Sequence, residues 1–394
     1  MRRRWVTSIL AGAIACSPAV AQEVEQDHAA MDHAAMGHET GEVIDESAPP
    51  ELPIVNDLLR IAHDQENRVV EVIVGPVSLP AASGHLRTPI QMIELGIEGW
   101  MHGFSWEMRD AAGDVLPERL LHHVNLIDPD SRELFSPIAR RIMAAGRETK
   151  GEGVPGLLGY PLQPGNRVLV NAMFASLPDA GYDEAYLHIS LPYTPADDPG
   201  FIRPRNVYPF YLDVMGPVGD KEFALPPGTH GRTWEGRPAV SGRLLALGGH
   251  LHDYGDWIRL EDLTTGKILW EGKPVMGDGG AVESVPTGKL WWRGGARIDA
   301  DHTYRISVQY TNPLDVPAPD AAMGAIGGVI LSNDARWPEF DRDDPDYLED
   351  LRNTLNKPNE SHEHGAAAMD AAEPATGDDG HEHTTGSAGA SDPS

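Results

Sequence analysis

The chain has 394 residues, with 31 Lys and Arg against 60 Asp and Glu, a net charge of −29. So acidic a chain is a poor partner for nucleic acid or an anionic membrane, because phosphate neutralisation draws on Lys/Arg clusters and the sequence shows none. Its single cysteine, Cys16, lies inside an N-terminal leader, which excludes disulfides, Cys-ligated zinc, iron–sulfur clusters and a thiol nucleophile from the remainder.

In chain order, residues 1–21 read as an export signal. Arg2-Arg3-Arg4 is the positive region, Trp5 to Ala15 the apolar region, and Ala19-Val20-Ala21 the small-x-small pattern before cleavage at Gln22. Two variants remain open. Ala13-Ile14-Ala15-Cys16 is a loose lipobox that would leave a lipid anchor on Cys16, and the arginines before Trp5-Val6 faintly resemble a twin-arginine signal. Each route takes the chain out of the cytoplasm, and the leader's style points to the bacterial periplasm or to secretion. No later stretch approaches the ~18 continuous apolar residues of a membrane helix, so no integral membrane segment is expected after the leader.

Residues 22–50 are polar, acidic and rich in His and Met, and are expected to be disordered. A β-sandwich domain is expected over 51–205. Within it, Asn67–Val74 is strand-like, Phe104–Arg109 alternates before a turn at Asp110–Asp114, and Val168–Phe174 and Ala185–Leu191 form partner strands. Ile138, Ile142 and Met143 at helical spacing predict a helix over 136–146 with Gly146 as its stop. Pro195–Gly200 and Pro204 interrupt the pattern, and a second sandwich is expected over 206–340. There Trp257–Glu261 and Lys267–Trp270 flank the turn Thr264-Thr265-Gly266, and Tyr304, Ile306, Val308 and Tyr310 share one strand face. Residues 341–394 read as a short helix, Pro345 to Asn356, followed by a disordered His-rich tail. Trp234, Trp257, Trp270, Trp291 and Trp292 read as core or sheet-face aromatics. The fold class is all-β, as two antiparallel sandwiches.

Three groups of residues carry metal-ligand chemistry. In Gly249-His250-Leu251-His252-Asp253, strand geometry puts both imidazoles on one side, able to reach one ion, with Asp253 or a carbonyl available to fix a tautomer. The alternative is two surface histidines beside a loop. His122-His123 ends an expected strand, and adjacent strand residues face opposite sides, so both reach one metal only if the backbone is irregular there. The termini interleave imidazole with thioether: His28, Met31, His33, Met36 and His38 at one end, His362, His364, His381 and His383 at the other. Thioether favours soft Cu(I), which suits copper capture, although such tails also arise by composition drift. No phosphate loop, dinucleotide fingerprint, Gly-x-Ser-x-Gly elbow or His-Glu-x-x-His is present.

The order of these motifs resembles the copper type II, ascorbate-dependent monooxygenases, the class of peptidylglycine hydroxylating monooxygenase and dopamine β-monooxygenase, and more closely their bacterial exported relatives. Leu121-His122-His123-Val124 resembles the family's His-His-Met segment, and His250-Leu251-His252 resembles the His-x-His of its catalytic copper. Tyr310-Thr311-Asn312-Pro313 followed by Ala322-Met323-Gly324 resembles the segment holding that copper's methionine. The resemblance implies two tandem jelly-roll domains over roughly 65–335. It further implies a His250/His252/Met323 copper site and a second copper at His122 and His123, the latter supplying an electron. It implies hydroxylation of a C–H bond in a small-molecule substrate with O2 and ascorbate or another reductant; the alternative is copper binding, storage or delivery without turnover. The family also places a third first-domain histidine on the strand matching Val168–Phe174, where this chain has Asn171, Ala172 and Met173; His188 lies on the next strand.

Overall fold

A computed structural model describes residues 58–355, except 147, 148, 150, 319–321 and 333–336. The leader, residues 22–50 and the His-rich tail fall outside the described residues. The first half runs through β1 (Leu59–Asp64), β2 (Val69–Leu79), β3 (His85–Arg87), β4 (Gln91–Glu94), β5 (Gly99–Met101) and β6 (Gly103–Asp110). It continues with β7 (Leu121–Arg132), β8 (Ala139–Gly146), β9 (Gly151–Gly153), β10 (Leu158–Leu162), β11 (Arg167–Ala175), β12 (Tyr182–Pro195) and β13 (Arg205–Asn206). The second half opens with β14 (Tyr208–Asp213), β15 (Gly228–Gly236), β16 (Gly242–Leu251), β17 (Gly255–Asp262), β18 (Lys267–Gly272) and β19 (Val275–Met276). It closes with β20 (Val282–Ser284), β21 (Gly288–Lys289), β22 (Ala296–Ile298), β23 (Tyr304–Asn312), β24 (Gly324–Ser332) and helix α1 (Pro345–Leu355).

Strand order defines the architecture. In the first half one sheet carries β2-β12-β6-β9, extended by β1, β5, β10 and β13, and the other carries β3 and β4 beside β11-β7-β8. In the second half the sheets are β14-β24-β16 with β21 and β22, and β15-β23-β17-β18. The second half lays β14 beside β24 and β15 beside β23, and the first lays β2 beside β12 and both β3 and β4 beside β11, with β1 added outside β2. That is the double Greek key of a jelly roll, made twice. The alternation in β2, with Val70, Val72 and Val74 inward, supplies one wall of the first core, against Val124, Leu126, Val170 and Phe174 from the other sheet. The second core gathers Leu247, Ile258, Leu260, Ile306, Val308 and Ile326 in the same way. The turn at 264–266 forms with Gly266 at φ 70°, and Asp262 accepts the Thr264 and Thr265 amides.

Two readings differ from expectation: His122 and His123 stand at the start of β7 and not at the end of a strand, and the segment after β7 is not helical. Residues 139–146 form a strand, not a helix. Register slips between Leu126 and Ile127 of β7, leaving Ile142 as an extra residue in β8, so that Ile142 and Met143 both turn into the core. β8 is also buried along its whole length. A strand covered on both faces loses its alternation, and the bulge then mimics helical spacing.

The two halves share buried surface. Ala144 of β8 packs with Tyr211 of β14 and Ala325 of β24, and Leu134 and Phe135 join the second core. Between β9 and β21, Glu152 accepts a hydrogen bond from the Thr287 hydroxyl at 3.3 Å. Burial pushes the Glu152 carboxyl up to about 7, against the pull of Lys289 and Thr287. Folded protein then holds a proton that unfolded chain releases between the ordinary Glu range and pH 7. The linked stabilisation is complete at low pH and is lost as pH rises towards 7. Glu152→Gln, neutral throughout, is expected to gain stability relative to the parent as pH is raised from about 5 to 7.5. Urea midpoints across that range test it; parallel profiles would contradict it.

Candidate functional site

The second-half site is set by register. β16 and β24 pair antiparallel with His250 opposite Ala325 and Leu251 opposite Gly324, and His252 and Met323 are the residues that flank the end of this ladder. His250, His252 and Met323 are therefore gathered at one end of the sheet. His250 is 7% exposed and Met323 0%, while His252 is half-buried; the two imidazole rings lie 5.0 Å apart at 88°. Tyr310 of β23 joins them: its hydroxyl accepts the His252 N–H at 3.0 Å and donates to the Met323 carbonyl.

Two glycines allow this closeness. A Cβ at Gly249 would lie 2.6 Å from Ile258, and one at Gly324 would lie 2.5 Å from Val308. They let the strands carrying His250 and Met323 settle onto the sheet beneath. Asp253, expected near an imidazole, instead holds the loop through the Val282 amide at 3.0 Å. A carboxylate near this end of the sheet is Asp213, which stands opposite Ala325 on β14. Burial pushes Asp213 up to about 6, opposed by Lys221, the Tyr211 hydroxyl, the Met215 amide and His250. Nothing in the sequence around Tyr-Leu-Asp marks this residue; only strand order brings it to the site.

In the first half, β7 pairs with β11 as Leu121 to Phe174 and then His123 to Met173, so His122 is the extra residue of a bulge. This is the irregularity that adjacent histidines require to turn to one side. The His122 and His123 rings are 5.1 Å apart. A third imidazole, His85 of β3, stands 4.5 Å from His122, its strand pairing β11 with His85 opposite Ala175. His123 is 1% exposed, whereas His85 and His122 are half-buried. Sequence reading sought the third histidine near Val168–Phe174 or at His188. His188 lies on β12 in the other sheet, with its Nδ1 3.8 Å from Glu71, and burial lowers its pKa. His85 carried no motif and only the β3–β11 ladder reveals it. Among the described residues, no group of three or more His, Cys, Asp or Glu is gathered at metal-holding geometry. The trio would have to rotate about its side-chain torsions to converge on an ion; Met323 falls outside that residue set.

Of the tryptophans, Trp270 is in the core and Trp257 stacks under Arg259, but Trp292 is 80% exposed.

No known family's sequence model matches the chain, and no characterised protein matches it significantly in sequence. Solved structures align over much of the chain at low similarity. The major capsid protein P2 of bacteriophage PM2 is 11% identical, covering 67% of this chain and 99% of its own, with a TM-score of 0.30. The STIV major capsid protein is 8% identical over 70% and 94%, also at 0.30. PNGF-II is 9% identical over 71% of this chain and 62% of its own, at 0.35. Superpositions of this quality carry no functional argument, and the jelly-roll assignment rests on strand order. No helix among the described residues is long and apolar enough to cross a membrane.

Proposed function

We propose that this is an exported copper-binding protein whose principal site is His250, His252 and Met323. The observation that carries the reading is the Tyr310 hydroxyl, which ties the backbone of His252 to that of Met323. Two imidazoles and a thioether at one end of the sheet make a soft donor set suited to Cu(I). A fully buried methionine could equally fill a gap, but a gap-filler has no reason to be fastened through a tyrosine to a histidine. Burial of His250 and Met323 favours holding copper over admitting a substrate to it, so storage or delivery is the better-supported activity.

Copper type II monooxygenation, with ascorbate or another reductant, is the second reading. A separate observation favours it: the sheet face of His123 runs on to the junction of the halves, beside the ladder partner of His250. Asn125, two residues from His123, stands opposite Ala144, which packs on Ala325, the ladder partner of His250.

Anaerobic Cu(I) titration against a chromogenic chelator tests the reading, on mature protein whose terminal His and Met clusters are replaced by Ser. His250→Ala is expected to remove one tight copper per chain. An unchanged stoichiometry would reject the site. Oxygen uptake in proportion to added reductant, with a hydroxylated product, would favour the enzyme over the store.

A further inference from the structure

Val207, Leu245 and Val329 form a small core between the halves, with Leu158, Trp291 and Leu331 packed around it. Beside this core, large apolar side chains from three separate segments are turned to solvent. Phe201 is fully exposed, Trp292 80%, Ile202 56% and Leu157 55%. The segments meet: Leu157 precedes Leu158 of the core, and its carbonyl accepts the Arg205 N–H at 2.8 Å. Phe201 and Ile202 run directly into Arg205, and the Trp291 and Trp292 rings lie 6.0 Å apart. Exposed arginines accompany them. Arg205 is the ladder partner of Leu158, and Arg203 lies over the Trp100 ring. Arg243 stands opposite Leu331 on β24 and Arg297 on β22, and its guanidinium donates to the Gly294 carbonyl beside Arg293 at 3.0 Å. Asp198 and Asp299, carboxylates beside these segments, pair with Arg68 and Arg297.

We propose that this face docks on a lipid surface bearing anionic headgroups, with Leu157, Phe201, Ile202 and Trp292 entering the interface and the arginines meeting headgroup phosphates. The expectation that an anionic membrane is a poor partner rests on the lack of Lys/Arg clusters in the sequence. Folding supplies the cluster by gathering Arg203, Arg205, Arg243, Arg293 and Arg297 from three distant stretches. Charge complementarity then selects the occupant, because the guanidinium fork matches phosphate oxygens. Tryptophan favours the boundary between headgroups and acyl chains, and exposed apolar side chains rimmed by cations are the pattern of interfacial binding. Protruding loop side chains suit a fluid surface that closes around them better than a folded partner, which would need matching pockets. The acidic remainder of the chain, net −29 overall, is repelled by the same headgroups and so orients the molecule with this face down. The inference is independent of the copper reading.

Mature protein is mixed with vesicles of phosphatidylcholine, alone or with phosphatidylglycerol added, and bound protein is separated by flotation. Binding is expected only where phosphatidylglycerol is present, and should fall as salt is raised. Phe201→Ser with Trp292→Ser should weaken it about tenfold or more. Arg203→Gln, Arg205→Gln and Arg293→Gln should weaken it about fivefold for each charge removed. All five side chains are exposed, so thermal unfolding should stay with the parent's and a loss of binding is not a loss of fold. Brominated acyl chains should quench the parent's fluorescence, and Trp292→Ser should remove most of that quenching. Absence of binding to either vesicle, or binding that both sets of changes leave intact, would overturn the proposal. Equal binding to both vesicle types would overturn the headgroup assignment. A protein partner retained by the parent and lost with both sets of changes, without vesicle binding, would put a protein in the place of the lipid and overturn the proposal as well.

Discussion

Replacing Asp350 by Ala is expected to destabilise the protein by about 3–5 kcal/mol, the usual cost of leaving one partner of a buried ion pair alone. Asp350, on α1, takes two hydrogen bonds from the Arg141 guanidinium, and the two side chains are 5% and 2% exposed. Arg141 is held by the fold: its backbone amide donates to Glu133 and its side chain to the Ala139 carbonyl. It cannot swing out to water when Asp350 is removed. Tyr347 and Leu351 of the same helix pack on Ile127, Ala139 and Leu169, so α1 seals the outer face of the first half. The control is the double change Arg141→Leu, Asp350→Leu, which removes both charges and should recover most of the loss. Urea unfolding of the three proteins measures it. A loss under about 1 kcal/mol for Asp350→Ala would mean that the pair is not buried in solution.

Tyr310→Phe is expected to do two things at once. Tyr310 is fully buried, and its hydroxyl serves the His252 amide and the Met323 carbonyl. Removing the oxygen orphans both groups at about 1–3 kcal/mol each. Thermal unfolding should therefore shift down, with little change in the packing of the ring against Phe223. The second effect separates a site from a structural hydrogen bond. With His252 and Met323 no longer fastened, Cu(I) affinity at the second-half site should fall about tenfold or more. Binding at His122 and His123 should be unchanged. Lower stability with full copper affinity would leave Tyr310 a core residue alone.

The all-β class, the turn at 264–266 and the C-terminal helix were legible because each is a local pattern: alternation, a glycine with positive φ, apolar residues at helical spacing. The His250/His252 pair was legible for the same reason, since residues two apart on a strand need no partner to share a face. What stayed hidden depends on pairing across the chain. The bulge at His122 exists only as a mismatch between β7 and β11. His85 joins the cluster through the β3–β11 ladder, and Asp213 and His250 share Ala325 of β24 as ladder partner. The misread segment 139–146 fails on the same point, because its core-facing pattern is set by a slip against β7.

Each jelly roll closes by laying an early strand beside a late one, Val74 of β2 against Leu187 of β12 and Tyr211 of β14 against Gly327 of β24. Neither half can complete its core before the final strand has been made, and folds dominated by such distant pairings form slowly. His250 on β16 and His252 just after it are thus synthesised long before β24 and the Met323 that precedes it. Until then His250 and His252 would offer imidazole alone, a donor that serves zinc, nickel and copper alike. At the proposed site, selectivity among ions would therefore be a property of the finished fold and not of the histidines alone.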